Sequence, residues 1–534
     1  MCRHPPSPKR PLPAAPPGDR VPDPDVARRP AAATRHPAVT LAELRSHNTP
    51  SSAWASVHGR VLDITEFGRR HPGGDIIFLA AGKDATALVE TYHPRGVPEK
   101  LLERLQIGVM AEGALPASFY SWHSPFYRVL KRRVLARLEE KQLARRGSYE
   151  IWVKALLILL GFWGSLARMY AADSFRAAAG WSALMGLMAH FVGTCIQHDG
   201  NHGAFATAPL LNTLAGATMD MIGASAFTWE IQHMLGHHPY TNVLDSHGER
   251  RREAGEAEED ADRYLSTVDQ ESDPDVFSSF PLLRMHPVHA PAWYHRYQHL
   301  YAPLLFALMT LAKVCQQDFE VARRRRLYHI DASCRYAVPF NTFRFYAMKI
   351  LSTCYMVALP IWFHGWRDGT LLFLIGHCVC GESLATMFIV NHVIEGVAFV
   401  QKNDAPNPVG YVGKPFTAAG TTPMDRTSAD AAELSTAHAP APVPPNDWAA
   451  VQCQTSVNWS PGSWFWNHVS GGLCHQIEHH LFPGLVHTSY VHVQDVVEAT
   501  CREYGVPYRA EAGLGTAYVK MLRHLRALGR EKAA

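Results

Sequence analysis

The sequence His198-Asp199-Gly200-Asn201-His202 directly follows an apolar stretch, residues 177–197, that is long enough to cross a bilayer as one helix. If that helix continues through the polar residues, its two histidines are four positions apart and lie on one face. Both imidazoles can then reach the same metal ion. The sequence therefore predicts a metal site at the end of a membrane-spanning helix.

Two further histidine clusters extend this pattern. His233-x-x-x-His237-His238 has the same spacing and adds a third imidazole, and Gln476-Ile477-Glu478-His479-His480 lies near the C-terminus. Histidine suits iron, copper or zinc, and the combined set exceeds what one tetrahedral zinc ion needs. Two metal ions are therefore predicted. The predicted ligands are His198, His202, His233, His237, His238, His479 and His480.

Other histidines are weaker candidates. His392 ends an apolar stretch and is interpreted either as a further metal ligand or as a packed, hydrogen-bonded core histidine. His299, His377 and His475 are interpreted as residues that orient ligands or serve the structure.

Four apolar stretches are long enough to span a bilayer, and very short loops join them into two helical hairpins. Both ends of each hairpin then emerge on one side. The run Arg323–Arg326 precedes the third stretch, so the positive-inside rule places that side, with the histidine clusters, in the cytosol. Two further apolar stretches, 209–228 and 300–314, are too broken or too short and are expected to be re-entrant or interfacial. The four predicted spans are residues 152–171, 177–197, 345–364 and 370–391.

Bulk composition limits the remaining interpretations. The 534 residues carry a formal net charge of only +3, which does not suggest a nucleic-acid partner, and the ten cysteines include no CxxC pair. Residues 1–38 hold eleven prolines and are predicted to be disordered, with no secretory signal; an organelle-targeting role is the less favoured interpretation. Residues 245–272 and 402–447 are predicted to be surface loops.

Residues 40–110 predict a small α+β domain, because short strand-like pieces alternate with helix-like ones. His71-Pro72-Gly73-Gly74 lies between two helix-like pieces, and His93 follows 22 residues after His71. Two neutral imidazoles from opposite helices can clamp a haem iron from both faces. That arrangement leaves no open coordination position, so such a haem carries electrons rather than binding oxygen.

The surroundings of these two histidines resemble the cytochrome b5 family over the whole stretch. The resemblance implies that a haem b is bound by His71 and His93. It is carried by Trp54-x-x-Val57-x-Gly59-x-Val61-x-Asp63-Ile64-Thr65, by Gly82-Lys83-Asp84-Ala85-Thr86 and by Ile107-Gly108.

The two halves explain one another chemically. Breaking an unactivated methylene C–H bond requires a reagent such as dioxygen activated on iron, and that reaction consumes electrons from outside. A tethered haem domain supplies electrons at high effective concentration. The apolar spans can shelter an acyl chain.

The spacings HxxxH, HxxxHH and QxxHH, with a fused N-terminal cytochrome b5, resemble the front-end fatty-acid desaturases over about residues 40–530. The resemblance implies a membrane desaturase domain at residues 120–534, all-α with a cytosolic histidine-rich cap. It also implies a di-iron centre on the seven clustered histidines, with Gln476 in or beside the site and His392 at a further ligand position. Dioxygen, a fatty-acyl lipid and an NADH-cytochrome b5 reductase are the implied partners, and the endoplasmic reticulum membrane is the implied location, with a plastid as the alternative.

Longer stretches resemble the microbial Δ4 desaturases, which implies conversion of docosapentaenoate, a C22 acyl group, to docosahexaenoate. The chain departs from that pattern at Cys474, where Asn is usual. The stretches are Gln197–Phe205, Gly236–Asn242, Ser272–Phe277 and Trp448–Pro483.

Three alternatives stay open from the sequence. The same type of enzyme could act as a Δ5, Δ6 or Δ8 fatty-acyl desaturase or on a sphingoid base. The same iron chemistry could insert oxygen, as in a membrane di-iron hydroxylase. A non-catalytic electron carrier or metal-binding membrane protein is the third alternative, although an electron carrier needs no histidine clusters beyond its haem ligands.

Overall fold

The structure is a computed structural model, in which residues Ala38–Ala534 form one compact unit. The predicted disordered segment 1–38 lies almost entirely outside the described residues, as do most of the predicted surface loops 245–272 and 402–447. The described residues are 36–112, 120–122, 124–245, 273–277, 279–287, 289–327, 330–402, 409–412 and 442–531.

The N-terminal part is a small sheet flanked by short helices. A two-residue turn at His58 and Gly59 joins the antiparallel strands Ser52–Val57 and Arg60–Asp63, and its φ angles of 49° and 78° suit such a hairpin. The strands pair in the order Ala38–Val39, Gln106–Met110, Arg60–Asp63, Ser52–Val57 and Asn48–Thr49, and Lys83–Asp84 also pairs with Ser52–Val57. The helices are Leu41–Ser46, Thr65–Gly68, Thr86–Tyr92 and Glu99–Leu105, with a 3₁₀ turn at Gly74–Ala80.

Four helical segments among the described residues are long and apolar enough to cross a membrane. The first two form the predicted N-terminal hairpin, and each begins with a serine whose hydroxyl caps the helix, Ser148 or Ser174. The segments are Tyr149–Tyr170, Phe175–Asn201, His295–Arg324 and Pro339–His392.

The last of these segments contains both C-terminal predicted spans. Gly365 interrupts its 54 residues with φ 79° and ψ 161°, a conformation outside the helical region that glycine adopts readily. A Cβ on Gly369 would lie 2.5 Å from the backbone of Ile361, so the chain folds tightly back on itself at this turn. The second predicted hairpin is therefore present, at the predicted loop.

The segment His295–Arg324 differs from the prediction. The stretch 300–314 was expected to be too short to span, but the helix extends in both directions to 30 residues. The expectation that it lies at the membrane interface stays a prediction. The stretch 209–228 is broken as expected, into Pro209–Gly216, Thr218–Met221 and Ala226–Trp229.

The two hairpins cross closely at a pair of glycines. A Cβ on Gly186 would lie 2.1 Å from the carbonyl oxygen of Gly376, so only glycine permits this approach. One helical turn away, the hydroxyl of Ser182 donates to the carbonyl of Leu372 at 2.6 Å. Outward-facing residues such as Leu157 and Trp362 are exposed and apolar, as expected of a surface that contacts lipid.

Shorter helices and strand pairs cover the ends of the long helices that carry the histidines. Among the described residues, π-helical turns occur at Val192–Gln197, Glu230–His237, Lys313–Gln317 and Cys354–Ala358, and all but the second lie within the long helical segments. The further helices are Pro125–Glu140, Pro274–Phe277, Ser333–Tyr336, Trp448–Gln454, Trp464–Val469, Gln476–Leu481, Tyr490–Glu503 and Leu514–Leu528. The paired strands are Val243–Asp245, Phe399–Lys402 and Val409–Val412; Arg326–Leu327 and Ile330–Asp331; Asn458–Trp459 and Ala510–Glu511.

Candidate metal centre and haem site

The predicted histidines converge on one buried region, in two groups. In the first group, one ring nitrogen of each residue lies within 4.8 Å of the others. The second group meets the same criterion. The first consists of His198, His202, His233 and His479, and the second of His237, His392 and His480.

His238 lies between these groups. Its Nε2 is 3.1 Å from the Nε2 of His233 in the first group, and its ring is stacked 4.6 Å from the ring of His480 in the second. Together the groups form two adjacent nitrogen-rich sites, an arrangement suited to two metal ions.

Gln476 lies at the second group. Its Nε2 is 2.9 Å from the Nε2 of His392 and 3.0 Å from the Nε2 of His480. The NH2 group thus faces these histidines, while Oε1 accepts from Nδ2 of Asn391 at 3.1 Å, so the amide can donate to a group bound beside them. His392 donates through Nδ1 to the carbonyl of Thr455 at 3.0 Å, so its Nε2 is left to face the group.

Unsatisfied ring nitrogens show that the pocket fits metal ions. Among the described residues, both nitrogens of His202 and the Nε2 atoms of His198 and His479 are buried without a hydrogen-bond partner. Buried polar atoms in folded proteins normally have partners, and a metal ion is one such partner for an imidazole. Burial lowers the pKa of His202 and His479, which keeps the rings neutral and able to coordinate.

Carboxylates orient the second histidine cluster, a role that the sequence analysis did not predict. Asp273 accepts a hydrogen bond from Nδ1 of His237 at 3.0 Å, and Asp275 accepts one from Nδ1 of His233 at 2.8 Å. Such bonds fix the tautomer and leave Nε2 free for a metal. Burial alone would lower the pKa of His237, but Asp273 outweighs it and raises that pKa.

The third cluster has neutral partners. Nδ1 of His480 lies 2.9 Å from Oε1 of Gln452 and 3.0 Å from the hydroxyl of Thr241, while Nδ1 of His479 lies 3.1 Å from the hydroxyl of Tyr490. These residues come from distant parts of the chain, which explains why spacing alone could not identify them. For the carboxylates that orient the second cluster, the sequence signal was the spacing of Asp273 and Asp275, two acids that lie two residues apart.

The weaker histidine candidates lie outside both groups. His475 contacts Asn467 and the backbone of Gly462, and His377 contacts the hydroxyl of Thr310. These contacts fit the interpretation of His475 and His377 as structural residues, which stays a prediction. His299 does not belong to either group.

His71 and His93 face one another in the N-terminal part. Their ring centroids are 6.2 Å apart. Nδ1 of His93 donates to the carbonyl of Val89 at 3.1 Å, and Nδ1 of His71 lies 3.2 Å from both the carbonyl of Gly74 and the amide nitrogen of Gly73, which leaves both Nε2 atoms for a metal. Metal–imidazole bonds of about 2 Å fit between them. Burial lowers the pKa of His71 to about 4, so that ring is neutral.

A cavity of about 540 Å³ surrounds His71 and His93, and both parts of the chain line it. Its walls include Val89 from the N-terminal part and Arg146 and His202 from the helical part. Tyr92 stacks 6.0 Å from the ring of His202 and also approaches the ring of His238, at 6.3 Å. The cavity therefore lies directly beside the first histidine group.

A second cavity of about 600 Å³ reaches the histidines from the other side. His198, His233 and Gln476 line it where it meets the metal centre. Most of its remaining wall is apolar and comes from the long helices. Examples are Met185, Ala189, Phe306, Met309, Leu384 and Phe388. A flexible hydrocarbon chain suits such a cavity.

Comparisons with known proteins agree with this geometry. The family model "Fatty acid desaturase" matches residues 174–512, and "Cytochrome b5-like Heme/Steroid binding domain" matches residues 40–111. An acyl-lipid (8-3)-desaturase of Physcomitrium patens is 32% identical over 92% of this chain and 91% of its own.

Two other similar proteins cover most of the chain. The Delta(5) fatty acid desaturase A of Dictyostelium discoideum is 28% identical over 92% of this chain and 93% of its own. A chloroplastic acyl-lipid (7-3)-desaturase of Chlamydomonas reinhardtii is 30% identical over 88% of this chain and 80% of its own.

These matches confirm the predicted fold class, a cytochrome b5-like α+β domain followed by a mostly helical desaturase domain with about four apolar helices. They also confirm the predicted cofactors, because a cytochrome b5 domain binds haem and the desaturase family uses two iron ions. The assignment of each ligand to an individual residue, including His392 and Gln476, stays a prediction.

Proposed function

We propose that this chain, which belongs to the fatty acid desaturase family, catalyses the O2-dependent front-end desaturation of an acyl-lipid at carbon 4. The expected substrate is a C22 polyunsaturated acyl group, and the conversion is docosapentaenoate to docosahexaenoate. The observation that carries the proposal is the position of the histidine groups between the cavity around His71 and His93 and the apolar cavity.

The metal centre is built to hold iron in a dry site. When bound there, two iron ions supply the activation of dioxygen that an unactivated methylene group requires. The proposed ligands are the seven clustered histidines with His392. Asp273 and Asp275 hold protons at Nδ1 of His237 and His233, so both rings present Nε2. Gln476 is proposed to position the substrate or a metal-bound group.

The apolar cavity is proposed to hold the acyl chain. Its wall next to His198 and His233 would place a methylene group beside the metal centre and exclude bulk water. The choice of carbon 4 rests on the stretches that resemble the microbial Δ4 desaturases, which include the first and third histidine clusters and, of the second, His237 and His238. The acyl chain is proposed to be esterified in a glycerolipid, as the names of the relatives suggest.

The haem domain is proposed to deliver the electrons. Its haem, held by His71 and His93, would lie beside the first histidine group, with Tyr92 between. An NADH-cytochrome b5 reductase is the proposed upstream donor. We further propose the endoplasmic reticulum membrane as the location, with the haem domain and the histidine clusters on the cytosolic side, because Arg323–Arg326 precedes the last hairpin.

Expression in yeast tests the proposal. Cultures are fed separately with docosapentaenoate, adrenate or dihomo-γ-linolenate, and fatty acids are profiled by gas chromatography with mass spectrometry. Docosahexaenoate should form from the first feed and not in cells that express His479→Ala, which keeps the haem ligands. Unchanged C22 acids would exclude the Δ4 assignment.

One specific observation favours a second candidate. The Delta(5) fatty acid desaturase A of Dictyostelium discoideum is similar to 92% of this chain, and this similarity favours desaturation at carbon 5 of a shorter acyl chain. A new product from dihomo-γ-linolenate alone would support that alternative. A hydroxylated acid would instead indicate hydroxylase chemistry. An unchanged fatty-acid profile with every feed would exclude desaturation at carbon 4 and at carbon 5.

A further inference from the structure

Lys313 is an unusual residue of the apolar cavity. It lies on the helix His295–Arg324, at the π-helical turn Lys313–Gln317, and its side chain lines the cavity. Among the described residues of that lining it is the only lysine or arginine. A hydrocarbon chain makes no use of a cation, so the ammonium group requires another explanation.

Two neutral amides hold the Lys313 ammonium group. Its Nζ donates to Oε1 of Gln232 at 2.9 Å and to Oε1 of Gln317 at 3.2 Å. An ammonium has three N–H donors, so one remains without an acceptor in the part of the chain that the structure describes. Both glutamines also line the cavity, and each keeps an NH2 group that is not turned toward Lys313.

Nearby carboxylates are already engaged. Asp318 pairs with Lys349 at 2.6 Å, Glu320 with Arg324 at 2.9 Å, and Asp275 bonds to His233. No described carboxylate therefore neutralises Lys313 directly. Asp318 and Asp275 act on the charge of Lys313 without pairing with it, so an oxygen acceptor from a ligand can take its remaining N–H.

The ammonium group lies close to the metal centre. Gln232, which accepts its hydrogen bond, directly precedes His233 in the chain. Lys313 also lines the same cavity as His198 and His233. A polar group bound at Lys313 is thus held beside the first histidine group.

We propose that Lys313, with the amides of Gln232 and Gln317, binds the carbonyl oxygen at carbon 1 of the acyl chain. This inference rests on the proposed desaturase function. The carbonyl is the one polar end of an otherwise apolar chain, and in front-end desaturation it must lie only a few bonds from the metal centre. Fixing it there sets which methylene group faces the irons.

A paired-ligand experiment tests the inference in the full-length holoenzyme. The probes are docosapentaenoyl lysophosphatidylcholine and its ether-linked analogue, which lacks the carbonyl, and equilibrium binding is measured by calorimetry in detergent micelles. The wild type should bind the ester about tenfold to a hundredfold more tightly than the ether, as expected for a hydrogen bond to a charged group. Lys313→Met should bind both equally.

Further variants separate charge from structure. Lys313→Arg keeps the cation and should retain part of the preference for the ester, while Lys141→Met removes an exposed lysine and should leave the preference unchanged. Because the readout is a ratio of two ligands on one protein, a loss of folded protein does not mimic the effect. A parallel titration with docosapentaenoyl-coenzyme A compares the binding of a thioester carbonyl with that of the ester carbonyl. Lys313→Met should weaken both.

Product analysis completes the test. Lys313→Met should raise KM by about the same factor and yield additional positional isomers, because the register of the chain is no longer fixed. If the wild type desaturates but Lys313→Met keeps the preference for the ester and a single product, the Lys313 inference is overturned alone. If the wild type forms no desaturated product, the proposed function fails as well.

Discussion

At the scale of single residues, the metal centre depends on groups that do not touch a metal. Asp273 accepts hydrogen bonds from His237 and from the backbone of Asn242, and its second oxygen accepts from the backbone amides of Asp275 and Val276. One carboxylate thus ties a helix N-terminus to the histidine cluster. One oxygen of Asp273 accepts from the proton-bearing Nδ1 of His237, and the other holds the start of the helix Pro274–Phe277.

Asp273→Asn should weaken the centre without changing its shape. The amide cannot accept at both positions, so the His237 tautomer is no longer fixed. We expect about a tenfold to hundredfold loss of iron affinity or of turnover. Iron content per haem, measured by elemental analysis, and product formation check this. Asp495→Asn, at an exposed ion pair with Arg137, is the control and should change neither. Full iron loading and activity in Asp273→Asn would contradict the assigned role.

Single residues were predictable where spacing carried the information. The spacing of the histidines predicted that they would lie together. The structure brings the seven clustered histidines together with His392. Tyr490 and Gln452 could not be found, because their contacts with His479 and His480 arise from tertiary packing of separate helices. Periodicity describes one element, whereas a hydrogen bond between elements depends on how they meet.

At the scale of elements, the two hairpins cross in close backbone contact. Gly186→Ala would push a methyl group into the carbonyl of Gly376, and the helices would have to separate. Overpacking of this kind costs about 1–3 kcal/mol. The melting temperature in detergent, followed by circular dichroism, should fall.

The same helix offers a matched control. A Cβ on Gly180 would meet no atom within 4 Å among the described residues. Gly180→Ala should therefore be neutral or stabilise by about 0.5–1 kcal/mol, the usual gain when alanine replaces glycine within a helix. Equal melting temperatures for the two variants would show that the crossing is looser than described.

Hydropathy predicted the long helices well and their ends poorly. The loop at Gly365 was located because a glycine lies between two apolar runs. The full length of His295–Arg324 was missed because polar residues such as Gln316, Gln317 and Glu320 follow the apolar stretch 300–314. Those residues face a cavity inside the protein, and a window average cannot distinguish that environment from solvent.

At the scale of the whole molecule, one arginine joins the haem domain to the desaturase domain. Arg335 is buried and pairs with Asp75 of the haem domain at 2.7 Å and with Glu230 at 2.6 Å. Glu230 begins the turn that carries His233 and His237. The ion pairs therefore connect the docking surface to the metal centre.

Arg335→Met should loosen this docking. It leaves the buried carboxylate of Glu230 without a partner, which costs about 3–5 kcal/mol. Hydrogen exchange at Gly74–Tyr92 should accelerate. Asp75→Asn removes only the ion pair that crosses between the domains; because the Asp75 side chain is 46% exposed, its loss should cost about 1 kcal/mol or less and accelerate exchange less than Arg335→Met does. Unchanged exchange in Arg335→Met would show that docking does not depend on this pair.

The order of the two domains was predicted from motifs, but the docking of one domain on the other was not. His71-Pro72-Gly73-Gly74 and the histidine clusters each predict a cofactor within one domain. The approach of Tyr92 to His202 depends on surfaces that are complementary only once both domains are folded. No periodicity in the sequence encodes such a fit.

The haem cavity has walls from both domains, so haem binding and domain closure are linked equilibria. A ligand that contacts both surfaces stabilises the closed arrangement by the free energy of the contacts it makes there. Conversely, when the two domains are apart, the haem would have fewer contacts and would be bound less tightly. Haem binding and the docking of the two domains are therefore expected to stabilise each other.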